Sequence, residues 1–226
     1  MQLFDTVVPA AGVGRRMGST VPKQYLELLP GKCILELTLE KLLNYPAIHQ
    51  VIVALSADDK LFSTLSISKH PRLYTVIGGA ERADSVLCGL KVTQTKWVLV
   101  HDAARPLIST ADLDALTQAC LAEDCGGILA LRSVDTLKLS TAAQTIARTV
   151  PREQIWRAQT PQCFKREQLL QALTQASAQG LKVTDEASAL EVMGMPCQLV
   201  PGSALNFKIT TPEDLLLAKA ILSYGS

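Results

Sequence analysis

The residues best suited to chemistry in this chain of 226 residues fall in a few short segments. The first is Pro9-Ala10-Ala11-Gly12-Val13-Gly14-Arg15-Arg16-Met17-Gly18, which follows a short apolar run and leads into Pro22-Lys23-Gln24. Glycines at the end of a strand let backbone N–H groups come close to an anion. Arg15, Arg16 and Lys23 add the charge-assisted hydrogen bonds that a polyphosphate attracts. A dinucleotide fingerprint would need G-x-G-x-x-G, with an acid closing a second strand about 20 residues further on. Here Met17 stands at the third glycine position, and residues 34–43 read as helix. A P-loop would need G-x-x-x-x-G-K-[ST], and no glycine here precedes Lys-Ser or Lys-Thr. The remaining alternatives are a polyphosphate loop and a solvated basic turn.

A second segment, His101-Asp102-Ala103-Ala104-Arg105-Pro106, ends the run Trp97–Val100. An Asp at the carboxyl end of a strand suits Mg²⁺, which takes one or two carboxylates and fills its other positions with phosphate oxygens and water. Arg105 either pairs with that Asp or meets a phosphate. A plain Asp–Arg structural pair is the competing reading. Gly78-Gly79 joins a strand to a helix and permits close approach to a base or ribose, with Ser85 near the helix start; a capped tight turn explains it equally. Lys208 reads as a strand residue before Thr210-Thr211-Pro212, either catalytic or simply on the surface. His49, His70 and His101 lack metal-ligand spacing and read as satisfied or surface side chains.

These segments need a scaffold. Thr6–Val8, Val51–Leu55, Tyr74–Ile77, Trp97–Val100 and Gly127–Leu131 are short, β-branched and continuously apolar, as strands covered on both faces are. Helical spacing lies between them: Leu35, Leu39, Leu42 and Leu43, then Val86, Leu87 and Leu90. The βαβα order predicts a doubly wound, mostly parallel α/β sheet with its ligand site at the carboxyl ends of the strands. Residues 132–155 change texture. Thr136–Leu139 and Thr145–Arg148 alternate weakly around a small polar stretch, which predicts a projecting hairpin. A lone hairpin is marginal in water, so a second copy of the chain is the economical partner. Thr184-Asp185-Glu186 predicts a helix start with Gly194 as its stop, and Thr211-Pro212-Glu213-Asp214 a stronger one. The expectation is one domain over 1–226 with an arm at 132–155 inserted in it.

Composition bounds the partners. The chain is 48% hydrophobic, and 22 Lys and Arg against 21 Asp and Glu leave a net charge of +1. That is too apolar for a disordered chain, and it lacks the basic excess of a nucleic-acid binder. No run approaches the roughly 18 apolar residues of a membrane span, and the start shows no secretory signal. Six scattered cysteines fit neither a zinc site nor a disulfide framework, so reduced thiols and a cytoplasmic location are expected.

Taken together, PAAGVGRRMG with PKQY (9–18, 22–25), GGAERADSV (78–86), HDAARP (101–106), TPQ (160–162), TDEASALE (184–191) and NFKIT with PEDL (206–215) resemble the 2-C-methyl-D-erythritol 4-phosphate cytidylyltransferases, in order and over nearly the whole chain. The resemblance implies a Rossmann-like sheet of the nucleotide-diphospho-sugar transferase type. It also implies Mg²⁺-dependent transfer of CMP from CTP to methylerythritol phosphate, and a homodimer whose β-arms embrace the neighbouring subunit. On that basis Arg16 and Lys23 contact the triphosphate and transition state, and Lys208 and Arg152 join them in the catalytic set. Pro9, Ala10, Ala11, Gly12, Gly14, Gly78, Gly79, Ser85 and Ala103 bind CTP. Asp102 holds Mg²⁺ and borders the acceptor, and Thr136, Arg152, Thr160 and Lys208 bind methylerythritol phosphate, the arm residues coming from the other chain. Pro151 and Leu205 depart from the family pattern and put only arm and loop detail in doubt. Ribitol 5-phosphate cytidylyltransferase is the nearest rival, and a non-catalytic nucleotide-binding module the next.

Overall fold

Four of the five apolar runs form inner strands of a seven-stranded sheet flanked by helices. Tyr74–Ile77, expected to be covered on both faces, lies on an edge strand where Tyr74 and Ile77 are exposed. The computed structural model describes residues 2–12 and 21–224. In chain order the elements are β1 (Phe4–Pro9), β2 (Glu27–Leu29), β3 (Lys32–Cys33), α1 (Ile34–Leu43), β4 (Ile48–Leu55), β5 (Leu73–Ile77), α2 (Arg82–Leu90), β6 (Trp97–Val100) and α3 (Thr110–Ala122). Then come β7 (Gly127–Arg132), β8 (Leu137–Ser140), β9 (Ile146–Val150), β10 (Trp156–Lys165), α4 (Arg166–Ala178), α5 (Glu186–Val192), β11 (Gln198–Pro201) and α6 (Pro212–Tyr224). The sheet order is β11-β7-β10-β6-β1-β4-β5. β10 runs antiparallel to both of its neighbours, and every other pairing is parallel.

Side chains alternate across each strand and so feed two cores. Phe4 and Val8 face α1 and α3, packing with Leu35, Leu39, Leu113 and Leu116. Val7, Val98 and Val100 face α2, α4 and α5, packing with Val86, Leu90, Leu169 and Leu190. The expected helix starts are present. Asp185 caps α5, accepting from the Ser188 N–H at 3.0 Å, and Gly194 (φ +65°) follows its end. At α6, Thr211 Oγ1 accepts from Asp214 N–H at 3.3 Å, while Asp214 accepts from Thr210 N–H and Thr211 N–H.

Two further features differ from the sequence reading. The segment carrying Lys208 is not a strand; residues 206–210 form no ladder. Ile209 N–H donates to Ala104 O at 2.9 Å, and Ile209 is buried against Leu28, Ile34 and Ala218 of a third small core. β10, in the middle of the sheet, escapes an apolar-run reading because it buries Gln159, Thr160 and Gln162. The predicted hairpin is present: β8 and β9 pair antiparallel as a separate two-stranded sheet, with Val134 70% and Ile146 68% exposed. Among the described residues no helix is long and apolar enough to cross a membrane. All six cysteines are free thiols.

The approach of α2 to β1 decides where the strand-end loops lie. Gly89 lets the helix close on the sheet, since a Cβ there would stand 2.5 Å from Val7 Cγ1. Val7 is stiff and fully buried and has nowhere to move. Overpacking of this kind costs about 1–3 kcal/mol, partly offset by the roughly 1 kcal/mol that Ala gains over Gly in a helix. Gly89→Ala is therefore expected to lower stability, checked as a fall in the urea midpoint; an unchanged or raised midpoint contradicts this packing.

Candidate active site

β1, β4, β5 and β6 run parallel, so their carboxyl ends share one edge of the sheet. There β1 delivers Pro9, Ala10, Ala11 and Gly12, β5 delivers Gly79, and β6 delivers Asp102 and Ala103. With Lys23, Ser85 and Lys208 they line a cavity of about 180 Å³. An adjoining cavity of about 270 Å³ shares Asp102 and Lys208 and is lined further by Arg105, Gln159 and Thr160. Gly78 sits beside the first cavity, in a contact tight enough that a Cβ would meet Ser85 Oγ at 2.7 Å and Ala11 Cβ at 2.9 Å. Ser85 closes this loop: its Oγ accepts from Gly79 N–H at 3.2 Å and donates to Glu81 O at 3.2 Å.

Gln24 ties the turn after the basic loop to β1, Nε2 donating to Ala10 O at 2.7 Å. Lys23 beside it reaches across the cleft and donates to Ile209 O at 3.0 Å. The expected Gly14 and Arg16, with Arg15, lie outside the described residues. Thr136 and Arg152 are exposed on the arm and line neither cavity within this chain; Arg152 donates to Val134 O. Lys23, Arg105 and Lys208 thus meet along the two cavities.

Asp102 is the electrostatic centre. Its Oδ1 accepts from Arg82 Nε at 3.2 Å, and its Oδ2 from Arg105 Nε at 3.2 Å and Lys208 Nζ at 3.0 Å. Burial pushes its carboxyl up, but Arg82, Lys208 and Arg105 outweigh burial and hold it well below the usual carboxylate range. The Asp102–Arg105 question left open by sequence resolves as a pair, and Arg105 also donates to Asn206 O at 2.7 Å. Arg82 is itself gripped by Glu186, at 2.6 and 3.1 Å to its two oxygens. Burial raises the Glu186 carboxyl more than Arg82 lowers it. Neither Arg82 nor Glu186 was assigned a role from sequence. For Arg82 alone a local hint existed: a cation in the first turn of a helix is disfavoured by the helix dipole and needs acidic partners, but nothing local pointed to Glu186.

The donor set fits Mg²⁺ that arrives with phosphate oxygens. Asp102 keeps a lone-pair direction beyond its three cations, and magnesium accepts one carboxylate when phosphates and water complete its shell. It does not fit a fully protein-bound ion, because the described residues hold no group of three or more His, Cys, Asp or Glu side chains suited to a metal.

A second layer fixes the backbone of Asp102. His101 is fully buried, and burial lowers its pKa to about 4, so the imidazole is neutral. Its Nε2 lies 3.0 Å from Arg105 O, which only accepts, so Nε2 carries the proton and Nδ1 accepts. Thr160 Oγ1, 3.1 Å from Nδ1, then donates to it and accepts from Asp102 N–H at 2.9 Å. The Thr160 proton is engaged by His101, which leaves a ligand only a lone pair.

A cation-rich cleft at the carboxyl edge of a doubly wound sheet defines a nucleotide-handling α/β protein. The family model described as 2-C-methyl-D-erythritol 4-phosphate cytidylyltransferase matches residues 4–224. A curated relative of that name from Vibrio vulnificus is 53% identical, covering 99% of this chain and 96% of its own length. One from Aeromonas hydrophila is 53% identical over 95% of this chain and 88% of its own. The crystal structure of the Francisella tularensis 2-C-methyl-D-erythritol 4-phosphate cytidylyltransferase superposes with a TM-score of 0.85 at 36% identity, covering 97% of this chain and 99% of that one. The chain belongs to the 2-C-methyl-D-erythritol 4-phosphate cytidylyltransferase family.

The state of His101 has a consequence for stability. The unfolded imidazole takes its proton near 6.5, while the folded one resists down to about 4. Between those values the unfolded chain binds more protons, so this contribution is complete above 6.5 and fades as pH falls. The urea midpoint is expected to drop between about pH 7 and about pH 5, and His101→Asn to flatten that drop. An equal slope in the variant contradicts the assignment.

Proposed function

We propose that the chain transfers CMP from CTP to 2-C-methyl-D-erythritol 4-phosphate. An oxygen of the acceptor phosphate bonds to the α-phosphorus of CTP, the bond from that phosphorus to the bridging oxygen breaks, and pyrophosphate leaves. The observation that carries this reading, beside family membership, is the placement of Lys23 and Lys208 on one cleft with the ionised Asp102. The attacking phosphate monoester has a second pKa of about 6 and is already largely anionic at neutral pH. No general base is needed, which agrees with a site whose only nearby histidine is buried, neutral and engaged on both nitrogens. The obstacle is repulsion between two polyanions, and catalysis then comes from positioning and from cations placed where charge develops.

In this scheme Lys23 and Arg16 meet the triphosphate, Lys208 bridges both cavities, and Asp102 keeps Lys208 in place while offering a lone pair to Mg²⁺. Bound there with the triphosphate, Mg²⁺ would neutralise phosphate charge as a Lewis acid. Pro9, Ala10, Ala11, Gly12, Gly14, Gly78, Gly79, Ser85 and Ala103 form the CTP side, and the cavity shared by Asp102, Thr160 and Lys208 forms the acceptor side. Thr136 and Arg152 reach an acceptor from the arm of a second copy. The support for a homodimer is the exposed Leu139 and Ile146 on a two-stranded hairpin that is marginal alone, with exposed Val134 at its base. Six free thiols support a cytoplasmic setting.

Pyrophosphate release tests the activity, with CTP, Mg²⁺ and either methylerythritol phosphate or ribitol 5-phosphate. Release with the former supports the reading, release with ribitol 5-phosphate alone makes that the acceptor, and none with either leaves a binding module. Lys23→Ala is expected to lower kcat by roughly 10²–10³, while Arg152→Ala mainly raises KM for the sugar phosphate. Wild-type turnover in Lys23→Ala contradicts its role.

A further inference from the structure

Glu186 lines neither cavity and is fully buried in the first turn of α5. Yet it governs Arg82 more firmly than Asp102 does. Both terminal nitrogens of Arg82 donate to Glu186, at 2.6 and 3.1 Å, whereas Asp102 receives only Nε, at 3.2 Å. The guanidinium is a rigid plane, so a two-point grip on its far edge sets the direction of Nε.

Glu186 is itself immobilised from both sides. Ala187 N–H donates to Gln162 Oε1 at 2.9 Å, and Gln162 Nε2 donates to Asp185 Oδ2 at 2.8 Å, so β10 holds the residues before and after it. The capping bond between Asp185 and Ser188 locks the same turn. By contrast, the start of α2 repels the Arg82 charge, so the guanidinium depends on its acidic partners. The cluster sets Arg82, Arg105 and Lys208 against Asp102 and Glu186. Removing one carboxylate leaves three cations around a single acid. Arg82, which lines both cavities, can then turn into the space intended for phosphate.

We infer that Glu186 is a positioning residue for the transfer: through Arg82 it fixes the Oδ1 side of Asp102, so that Oδ2 presents Lys208 to the cleft. This rests on the cytidylyl-transfer reading. Among the described residues Arg82 is the hydrogen-bonded partner of the Glu186 carboxylate, so the two residues are expected to act in series.

The test is a double-mutant cycle on the full chain with CTP and methylerythritol phosphate. Glu186→Gln keeps the size and loses the charge; it is expected to lower kcat about tenfold with KM for CTP changed less than about twofold. Arg82→Met and the double variant are expected to share one kcat, because Glu186 has nothing to act through once Arg82 is gone. Glu186→Asp, which restores the charge with a shorter reach, is expected to recover part of the loss. It replaces Glu186→Gln in the cycle if that variant does not fold. A merely structural role predicts losses that add in the double variant and no rescue by Asp, and either result overturns the inference, as does wild-type kcat in Glu186→Gln. A crystal structure of the charge-removed variant gives a readout free of turnover: Arg82 Nε displaced from Asp102 supports the inference, and Arg82 unmoved contradicts it. A wild-type chain inactive with CTP and methylerythritol phosphate would instead defeat the transfer reading, leaving the crystal structure to decide the role of Glu186.

Discussion

A carboxylate taken out of water must be paired and hydrogen-bonded or it becomes neutral. Asp102 meets that condition three times over, and the architecture of the cleft follows from how it does so. Each cation comes from a different part of the chain: Arg82 from the start of α2, Arg105 from the loop after β6, and Lys208 from the segment before α6. The carboxylate therefore draws three separate pieces of backbone to the edge of the sheet. A neutral residue at this position would leave three positive groups facing one another in a confined space.

The arrangement also explains how an almost neutral protein can handle polyanions. The net charge of +1 says nothing about where charge sits. Along the two cavities the cations Lys23, Arg82, Arg105 and Lys208 outnumber the acids Glu81, Asp102 and Asp185, and the excess stands on one edge of the sheet. Preorganised charge of this kind need not reorganise as a reaction proceeds. The second layer keeps it in place: neutral His101 and the Thr160 hydroxyl fix the Asp102 backbone, and Gln162 fixes the turn that carries Glu186.

Much of this was legible in the sequence because it depends on local pattern. Continuous apolar runs marked β1, β4, β5, β6 and β7, and turn chemistry marked α5, α6 and the arm. The loops that carry Ala10, Gly79 and Asp102 were found because they end those strands. What escaped was what depends on distant partners. β10 is central yet polar: His101, Asn206 and α5 supply partners to Thr160 and Gln162, and the Gln159 amide nitrogen donates to Ser203 O and Asn206 O. Lys208 looked like a strand residue because Phe207 and Ile209 flank it; in the fold Ile209 instead plugs a small core and makes a single bond to Ala104. Arg82 and Glu186 lie 104 residues apart in the chain, and no local spacing could join them.

The claim at the centre is that Asp102 stays ionised because its three cations outweigh its burial. Carbon-13 NMR of the labelled aspartate carboxyl, followed from about pH 7 to about pH 3, reads this directly. The account predicts a chemical shift for Asp102 that does not move across the range while the fold persists. A carboxyl that is half-protonated near the ordinary value of 3.8 would contradict it.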